Sequence, residues 1–339
     1  MHTTGQFAAL EEPQLAAGRI FRLIAPELAL VEEEFDRQAR SNIQVIAYIG
    51  DYLRASGGKR VRPALTLLAA YAAGGDASRH HVIRMATVME FLHTATLVHD
   101  DIIDNAETRR NRASINSRFG NQTAVLMGDW LYMSAFETSL AERSLPVLDI
   151  LTGVTRKMTE GELLQLTTLG QADVSEEQYF DILLRKTAYL FSACCEIGAI
   201  LGGASDVACS ALRDYGLNLG AAFQLVDDLL DFTATDDALG KASGVDLLEG
   251  KVTLPLIYLL EADPAQRRRV LSVIRAGSYE EVSRTALRDA AEQSGALERA
   301  RARARDFASA ARQALDVLPP SPHADALRAI PTYILERDS

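Results

Sequence analysis

The sequence predicts an all-α fold, and three observations carry the prediction. Apolar residues recur at three- and four-residue spacing through long segments, the period of a helix with one buried face. Alternation of apolar and polar residues between turn signals, the mark of a half-buried strand, hardly occurs. No Pro/Gly/Ser-rich linker and no long internal repeat divides the chain. One large helical domain is therefore expected at residues 19–339, behind a short N-terminal tail at 1–18.

In chain order, the apolar period marks helices at Gln14 to Glu34, Ile43 to Ala55 and Pro63 to Ala73. The last opens on a proline, whose fixed φ and missing N–H suit a first helical turn. His80 to Asp104, Thr123 to Glu142 and Pro146 to Leu169 come next, then Glu176 to Gly202 and Asp206 to Phe232. The helix over 206–232 carries Gly216 and Gly220 four residues apart, a spacing that lets helices cross closely. Thr253 to Leu260 is short and apolar, and shorter helices follow, including the arginine-dotted Ala296 to Val317, which reads as a solvated face. The turn Pro319-Pro320-Ser321-Pro322 precedes a last short helix near Leu327 to Leu335.

Of the 339 residues 48% are apolar and 24% charged, with 22 glycines and 10 prolines, which excludes collagen-like, disordered and low-complexity chains. A net charge of −11 repels nucleic-acid phosphate, so no nucleic-acid partner is expected. Cys194, Cys195 and Cys209 form no CxxC pair and no even-numbered framework and read as reduced, buried thiols. The N-terminus has no basic start followed by an apolar run, and the longest apolar stretches fall short of the about 18 to 20 residues of a membrane span. A cytoplasmic protein is expected.

Two carboxylate triads point to chemistry. Asp100, Asp101 and Asp104 fall on one helix, with Asp100 and Asp104 about 40° apart around it. The pattern returns as Asp227, Asp228 and Asp231 on a second strongly apolar helix. Like charges at i,i+4 destabilise a helix, and a cost incurred twice on core-like helices calls for a cation to offset it. Carboxylates so spaced leave room for water and a second anion, which suits Mg²⁺ bridging to phosphate oxygens. A solvated acidic face is the bland alternative for either triad alone. Basic residues that would complement such an anion are present: Arg109 and Arg110 just after the first triad, the loop Gly57-Gly58-Lys59-Arg60-Val61-Arg62-Pro63 leading into a helix N-terminus, Lys186-Thr187 within an apolar helix, and Lys241 and Lys251 flanking a glycine-rich loop. Together with very apolar helices they suggest a substrate with a diphosphate head and an apolar tail.

The chain resembles the trans-isoprenyl diphosphate synthases, or polyprenyl synthetases, from about Gly57 to Leu260. The motifs are GGKRVRP (57 to 63), EFLHTATLVHDDIIDNAETRR (90 to 110), FGNQTAVLMGDWLYMSAF (119 to 136), GELLQL (161 to 166), KTAYLF (186 to 191), FQLVDDLLDF (223 to 232) and GKASGVDLLEGKVTLPLIYLL (240 to 260). The resemblance implies antiparallel helices around a deep central cavity and a homodimer packed through the helix around Thr123 to Phe136. It implies that Asp100, Asp104, Asp227 and Asp231 hold Mg²⁺, three ions with substrate bound, and that Asp101 and Asp228 belong to the same catalytic set. Arg109, Lys186, Thr187, Gln224, Lys241 and Lys251 would bind an allylic diphosphate such as farnesyl diphosphate; Gly58, Lys59, Arg62, His93 and Arg110 would bind isopentenyl diphosphate. The run Arg109-Arg110-Asn111-Arg112-Ala113 departs from the usual glycine and lysine-proline after the two arginines, which puts the loop's conformation in question.

The growing tail is expected to run beside the first triad's helix. Ala95 and Thr96 stand where short-chain members carry an aromatic; Leu92, Met89 and Val88 lie deeper, and Phe136 is a candidate floor. A helix from His80 to Asp104 spans about 36 Å, which leaves room for a long tail. The segment EFLHTATLVHDD resembles the long-chain subgroup that makes quinone side chains, and that resemblance implies a product of about C30 to C50, octaprenyl or nonaprenyl favoured, with delivery to a membrane surface expected. The competing readings are a shorter-chain, geranylgeranyl-type synthase, a class I terpene cyclase and a noncatalytic partner subunit. A cyclase would pair one aspartate motif with an NSE-type motif, and a partner subunit would lack aspartates from one triad; this chain keeps both triads and GGKRVRP.

Overall fold

A computed structural model describes residues 13–55, 57–110, 112–233 and 243–336. It is built of α-helices: α1 (Pro13–Leu23), α2 (Ala25–Gln38), α3 (Gln44–Ala55), α4 (Val61–Ala72), α5 (His80–Ile103), α6 (Ile115–Phe119), α7 (Asn121–Leu140) and α8 (Leu145–Thr168). A two-residue hairpin, β1 (Thr108–Arg109) with β2 (Arg112–Ala113), lies between α5 and α6. Next come α9 (Glu176–Leu183), a π-helical turn at Leu184–Ala188, α10 (Tyr189–Leu201) and α11 (Asp206–Thr233), then α12 (Val245–Leu248) and α13 (Leu254–Ala262). The chain ends in α14 (Arg267–Ala276), α15 (Arg284–Gln293), α16 (Ala296–Ala314) and α17 (Pro322–Leu335). Buried apolar residues from Ile20 to Ile334 form a continuous core.

Differences from the expected elements have local causes. The first helix breaks at Ile24 (φ −122°), because Pro26 cannot continue a hydrogen-bonded helix from behind. Helix α1 also takes in part of the expected tail. The last helix starts earlier than expected because Pro322 sits in its first turn and Ser321 caps it. Cys194 and Cys195 are buried, while Cys209 is only half-buried.

Helix α5 runs through the core. From Val82 to Leu92 almost every side chain is buried, as expected for a helix packed on all sides. It packs against α4 and α7, while α10 packs between α4 and α11. Two close crossings make this possible. A Cβ on Gly216 would stand 2.5 Å from the Phe191 carbonyl, and one on Gly220 2.7 Å from Ala188 Cα, so α11 lies directly on α10 and the π-helical turn that precedes it. The C-terminal part of α5, the second half of α8, the π-helical turn and α11 stand around a common space.

Candidate active site

That space is a cavity of about 1420 Å³, larger than the about 300–1,000 Å³ of ordinary small-molecule sites. One stretch of its wall is acidic. Asp100 from α5, Glu162 from α8, Asp227 and Asp228 from α11 and Asp246 from α12 all line it. Burial, with Glu162 and Asp104 adding repulsion, pushes Asp100 up to about 7 against the pull of Lys186 and Arg109. Burial, reinforced by Asp227 and Asp231, raises Asp228 to about 6 despite its hydrogen bonds. Asp246 is driven well above the usual carboxylate range by burial beside Asp228 and Asp231. This wall is short of positive charge.

Each triad is split by the packing around it. Asp101, turned about 100° from Asp100 around the helix, lies 2% exposed, outside the cavity wall. It accepts from Arg109 Nε at 2.7 Å and pairs with Nη2 at 2.6 Å. Asp104, the C-cap of α5, faces Lys251 Nζ at 3.3 Å. Asp231 accepts the backbone N–H groups of Val245 (3.3 Å) and Asp246 (3.2 Å), fixing the start of α12. Asp100, Asp227 and Asp228 thus face the cavity, while Asp101, Asp104 and Asp231 are engaged around it.

Opposite charge comes from the segment before α4 and from the hairpin. Gly58, Lys59, Arg62, His93 and Arg110, the five residues expected at an isopentenyl diphosphate site, all line the cavity. Gly57 (φ +67°) and Arg60 (φ 48°) take left-handed conformations that turn the chain into α4. Gly58 lies beneath the Arg110 guanidinium, where a Cβ would come 2.8 Å from Nη1. Burial lowers the His93 pKa well below its usual value, and Arg62, Arg110, Arg109 and Arg60 press it further, so the ring is neutral. Arg109, paired with Asp101, does not line this cavity. The unusual loop has its own anchor: Tyr52 OH donates to Ala113 O at 2.7 Å, and the Arg112 guanidinium lies 4.5 Å over the Tyr52 ring. Asn111 and Lys241 lie outside the described residues.

Lys186 and Thr187 sit on the π-helical turn, a local widening often used to aim side chains at a site. Lys186 Nζ donates to Gln165 Oε1 at 2.5 Å and pairs with Glu162 at 2.7 Å. Thr187 Oγ1 donates to Gln224 Oε1 (2.9 Å), and Gln224 Nε2 donates to Asp228 Oδ1 (2.7 Å). Tyr179 OH donates to the other Asp228 oxygen at 2.6 Å. These residues and Lys251 line the cavity.

The apolar part of the wall includes Thr96, Leu97, Phe136, Met158 and Leu190. Ala95, Leu92, Met89 and Val88, expected to line a channel, have no exposed surface and lie in the packed core outside the cavity. Counting 100° per residue from Asp100 explains part of the difference: Thr96 is about 40° away, but Ala95 is about 140° and Val88 about 120°. Leu92 and Met89, about 80° and 20° away, miss the cavity because they stand deeper along α5, where nearly all its side chains are buried. Glu162, Asp246, Tyr179 and Glu90 line the cavity without having been assigned roles from the sequence. Glu162 and Asp246 stand within GELLQL and GVDLLEGK, where a carboxylate in an otherwise apolar or glycine-rich motif was the available signal.

Residues 43–290 match the family model for polyprenyl synthetase. The chain belongs to the polyprenyl synthetase family. This synthetase is a prenyltransferase of isoprenoid biosynthesis. It is 39% identical over 321 residues to octaprenyl diphosphate synthase of Escherichia coli (strain K12), an alignment covering 94% of this chain and 98% of the relative. Among solved structures, a polyprenyl synthase from Caulobacter crescentus CB15, complexed with calcium and isoprenyl diphosphate, superposes with a TM-score of 0.89 at 36% identity. That match covers 95% of this synthetase and 98% of the other chain. A decaprenyl diphosphate synthase from Rhodobacter capsulatus gives 0.88 at 35% identity, covering 95% and 99%. Polyprenyl synthetases are generally Mg²⁺-dependent. Among the described residues of this synthetase no three acidic, histidine or cysteine side chains converge to hold a metal alone. The charge-poor acidic wall nonetheless fits hard cations whose coordination is completed by other oxygens.

Proposed function

We propose that this synthetase is a long-chain trans-polyprenyl diphosphate synthase that condenses isopentenyl diphosphate head to tail onto an allylic diphosphate such as farnesyl diphosphate. Octaprenyl or nonaprenyl products are favoured. One observation carries the reading: a single cavity joins an acidic wall, an arginine-lined wall and an apolar passage.

Asp100 and Asp227, with Asp246, line the cavity and would hold Mg²⁺, three ions with substrate present, joined by Asp104 and Asp231 as they exchange the Lys251 and backbone N–H contacts they make here. Bound there, the metal would neutralise the allylic diphosphate and favour ionisation of its C–O bond. Lys186 and Lys251 add positive charge to the same leaving group. Thr187 and Gln224 orient it, since the chain of bonds through Asp228 to Tyr179 fixes the Gln224 amide. Lys59, Arg62 and Arg110 hold the second diphosphate, and neutral His93 contributes a hydrogen bond without a charge. The apolar wall keeps water from the allylic cation while the isopentenyl double bond attacks. Release of a proton to the departed diphosphate then completes a five-carbon extension.

Purified protein given Mg²⁺, farnesyl diphosphate and labelled isopentenyl diphosphate should form long polyprenyl diphosphates, resolved by reversed-phase chromatography after dephosphorylation. A cyclised hydrocarbon, or no product, overturns the proposal.

A second copy of the chain is the partner this reading assigns to α7, which exposes Val125, Leu126, Met133 and Leu140 (42–68%), an apolar row typical of an interface. Light scattering should give twice the 36.9 kDa chain mass, and a monomer at micromolar concentration counts against it. No helix of the described residues is long and apolar enough to cross a membrane, so delivery of the lipid product is assigned to a peripheral encounter with a membrane surface.

A further inference from the structure

We propose that Glu90 is a counter-charge built into the isopentenyl diphosphate site, holding its arginines together when no anion is bound and limiting the affinity for diphosphate when one is. The inference rests on the functional reading above and assigns a positioning residue within that same site.

Glu90 comes from the buried middle of α5, is 4% exposed and lines the cavity. Its Oε1 accepts from Arg60 Nη1 at 2.7 Å. Its charge also reaches Arg62 and Arg110, favouring their charged forms against the burial that lowers both. Arg60 is gripped from its other side by Glu32, through Nε and through Nη2 at 3.0 Å. That double hold offsets the left-handed backbone of Arg60, a conformation unfavourable for a side-chain-bearing residue. Arg62, by contrast, stacks 5.1 Å over the Phe191 ring, and its buried Nε has no hydrogen-bond partner. Arg60 is therefore structural, and Arg62 and Arg110 are the guanidinium groups left to meet an anion.

Three guanidinium groups so close together repel one another, and one buried carboxylate among them relieves that repulsion. An arriving diphosphate reverses the sign of its effect. Glu90 then becomes a like charge beside the ligand, in a partly dehydrated wall where salt screens poorly. The same carboxylate that stabilises the anion-free site weakens its complex, which suits a site that must be refilled at every extension.

The test replaces the charge and keeps the shape. For Glu90→Gln, isopentenyl diphosphate titrated calorimetrically in EDTA, without allylic substrate, should bind about tenfold more tightly than to the wild-type protein. The KM for isopentenyl diphosphate should fall, inhibition by inorganic diphosphate should strengthen, and the KM for farnesyl diphosphate should stay within about twofold. The melting temperature without ligand should drop and be regained when inorganic diphosphate is added. Weaker binding of isopentenyl diphosphate to Glu90→Gln overturns the proposal, as does unchanged binding. Should Glu90→Gln fail to fold, Glu32→Gln carries the test: this outer, more exposed carboxylate should give a smaller change of the same sign, and weakened binding there overturns the idea equally. Wild-type protein that forms no polyprenyl product would instead remove the underlying functional reading, so the two failures are distinguishable.

Discussion

Asp100→Asn should abolish turnover, by at least about 10³-fold in kcat, while making the ligand-free protein more stable at pH 8. The first half follows from removing a cavity-wall carboxylate that the proposed function assigns to Mg²⁺. The second follows from the cost of that carboxylate. Burial and the neighbouring Glu162 and Asp104 raise Asp100 from 3.8 to about 7, so the folded protein binds its proton more tightly than the unfolded chain does. The stability this confers is fully present below the unfolded value near 4 and is lost as pH rises through about 7. Asparagine never ionises and escapes the loss. The stability difference between variant and wild type should therefore grow from pH 5 to pH 8, by about 2 kcal/mol, as followed by urea unfolding in EDTA. Mg²⁺ with inorganic diphosphate should stabilise the wild type at pH 8 and the variant much less. A difference that stays flat with pH would contradict the charge deficit, and retained turnover would remove Asp100 from the metal site.

The same tension explains what was legible in the sequence. Helices were readable because their faces are set by neighbours three and four residues away: α5, α7, α8 and α11 fall within a few residues of their expected bounds. The triads were readable because spaced carboxylates on apolar helices violate a local rule, and such violations concentrate at functional sites. What a triad member does was not readable, since that depends on residues brought in from elsewhere. Asp101 differs from Asp100 only by one step around the helix, yet Arg109 on the hairpin captures it. Glu90 and Glu162 carried no role in the sequence reading, because their meaning comes from Arg60 and Lys186, supplied by other elements. The anchoring of Arg112 and Ala113 by Tyr52 is likewise a long-range contact. Family resemblance supplied residue roles, but the direction in which each side chain points had to come from the packing.

Chain length is where that direction changes the experiment. Thr96→Phe should convert a long-chain product distribution into one ending a few five-carbon units beyond the primer, because Thr96 lines the cavity about one turn below Asp100 on the same helix face. Its hydroxyl donates to the His93 carbonyl at 2.7 Å, so the polar atom is satisfied inside the helix and the methyl group is left to the apolar passage. A phenyl ring there would extend toward the space bounded by Phe136 and Met158, which also line the wall. Ala95 is the contrasting case. It is 0% exposed and turned away from the passage, so Ala95→Phe should overpack the core at a cost of about 1–3 kcal/mol before it obstructs any tail. Reversed-phase separation of dephosphorylated products from both variants, beside their urea unfolding curves, checks the assignment. The expected pattern is short products at near wild-type stability for Thr96→Phe, and lowered stability with a longer-reaching distribution for Ala95→Phe. Short products from a stable Ala95→Phe, with full-length products from Thr96→Phe, would place the tail on the other side of α5.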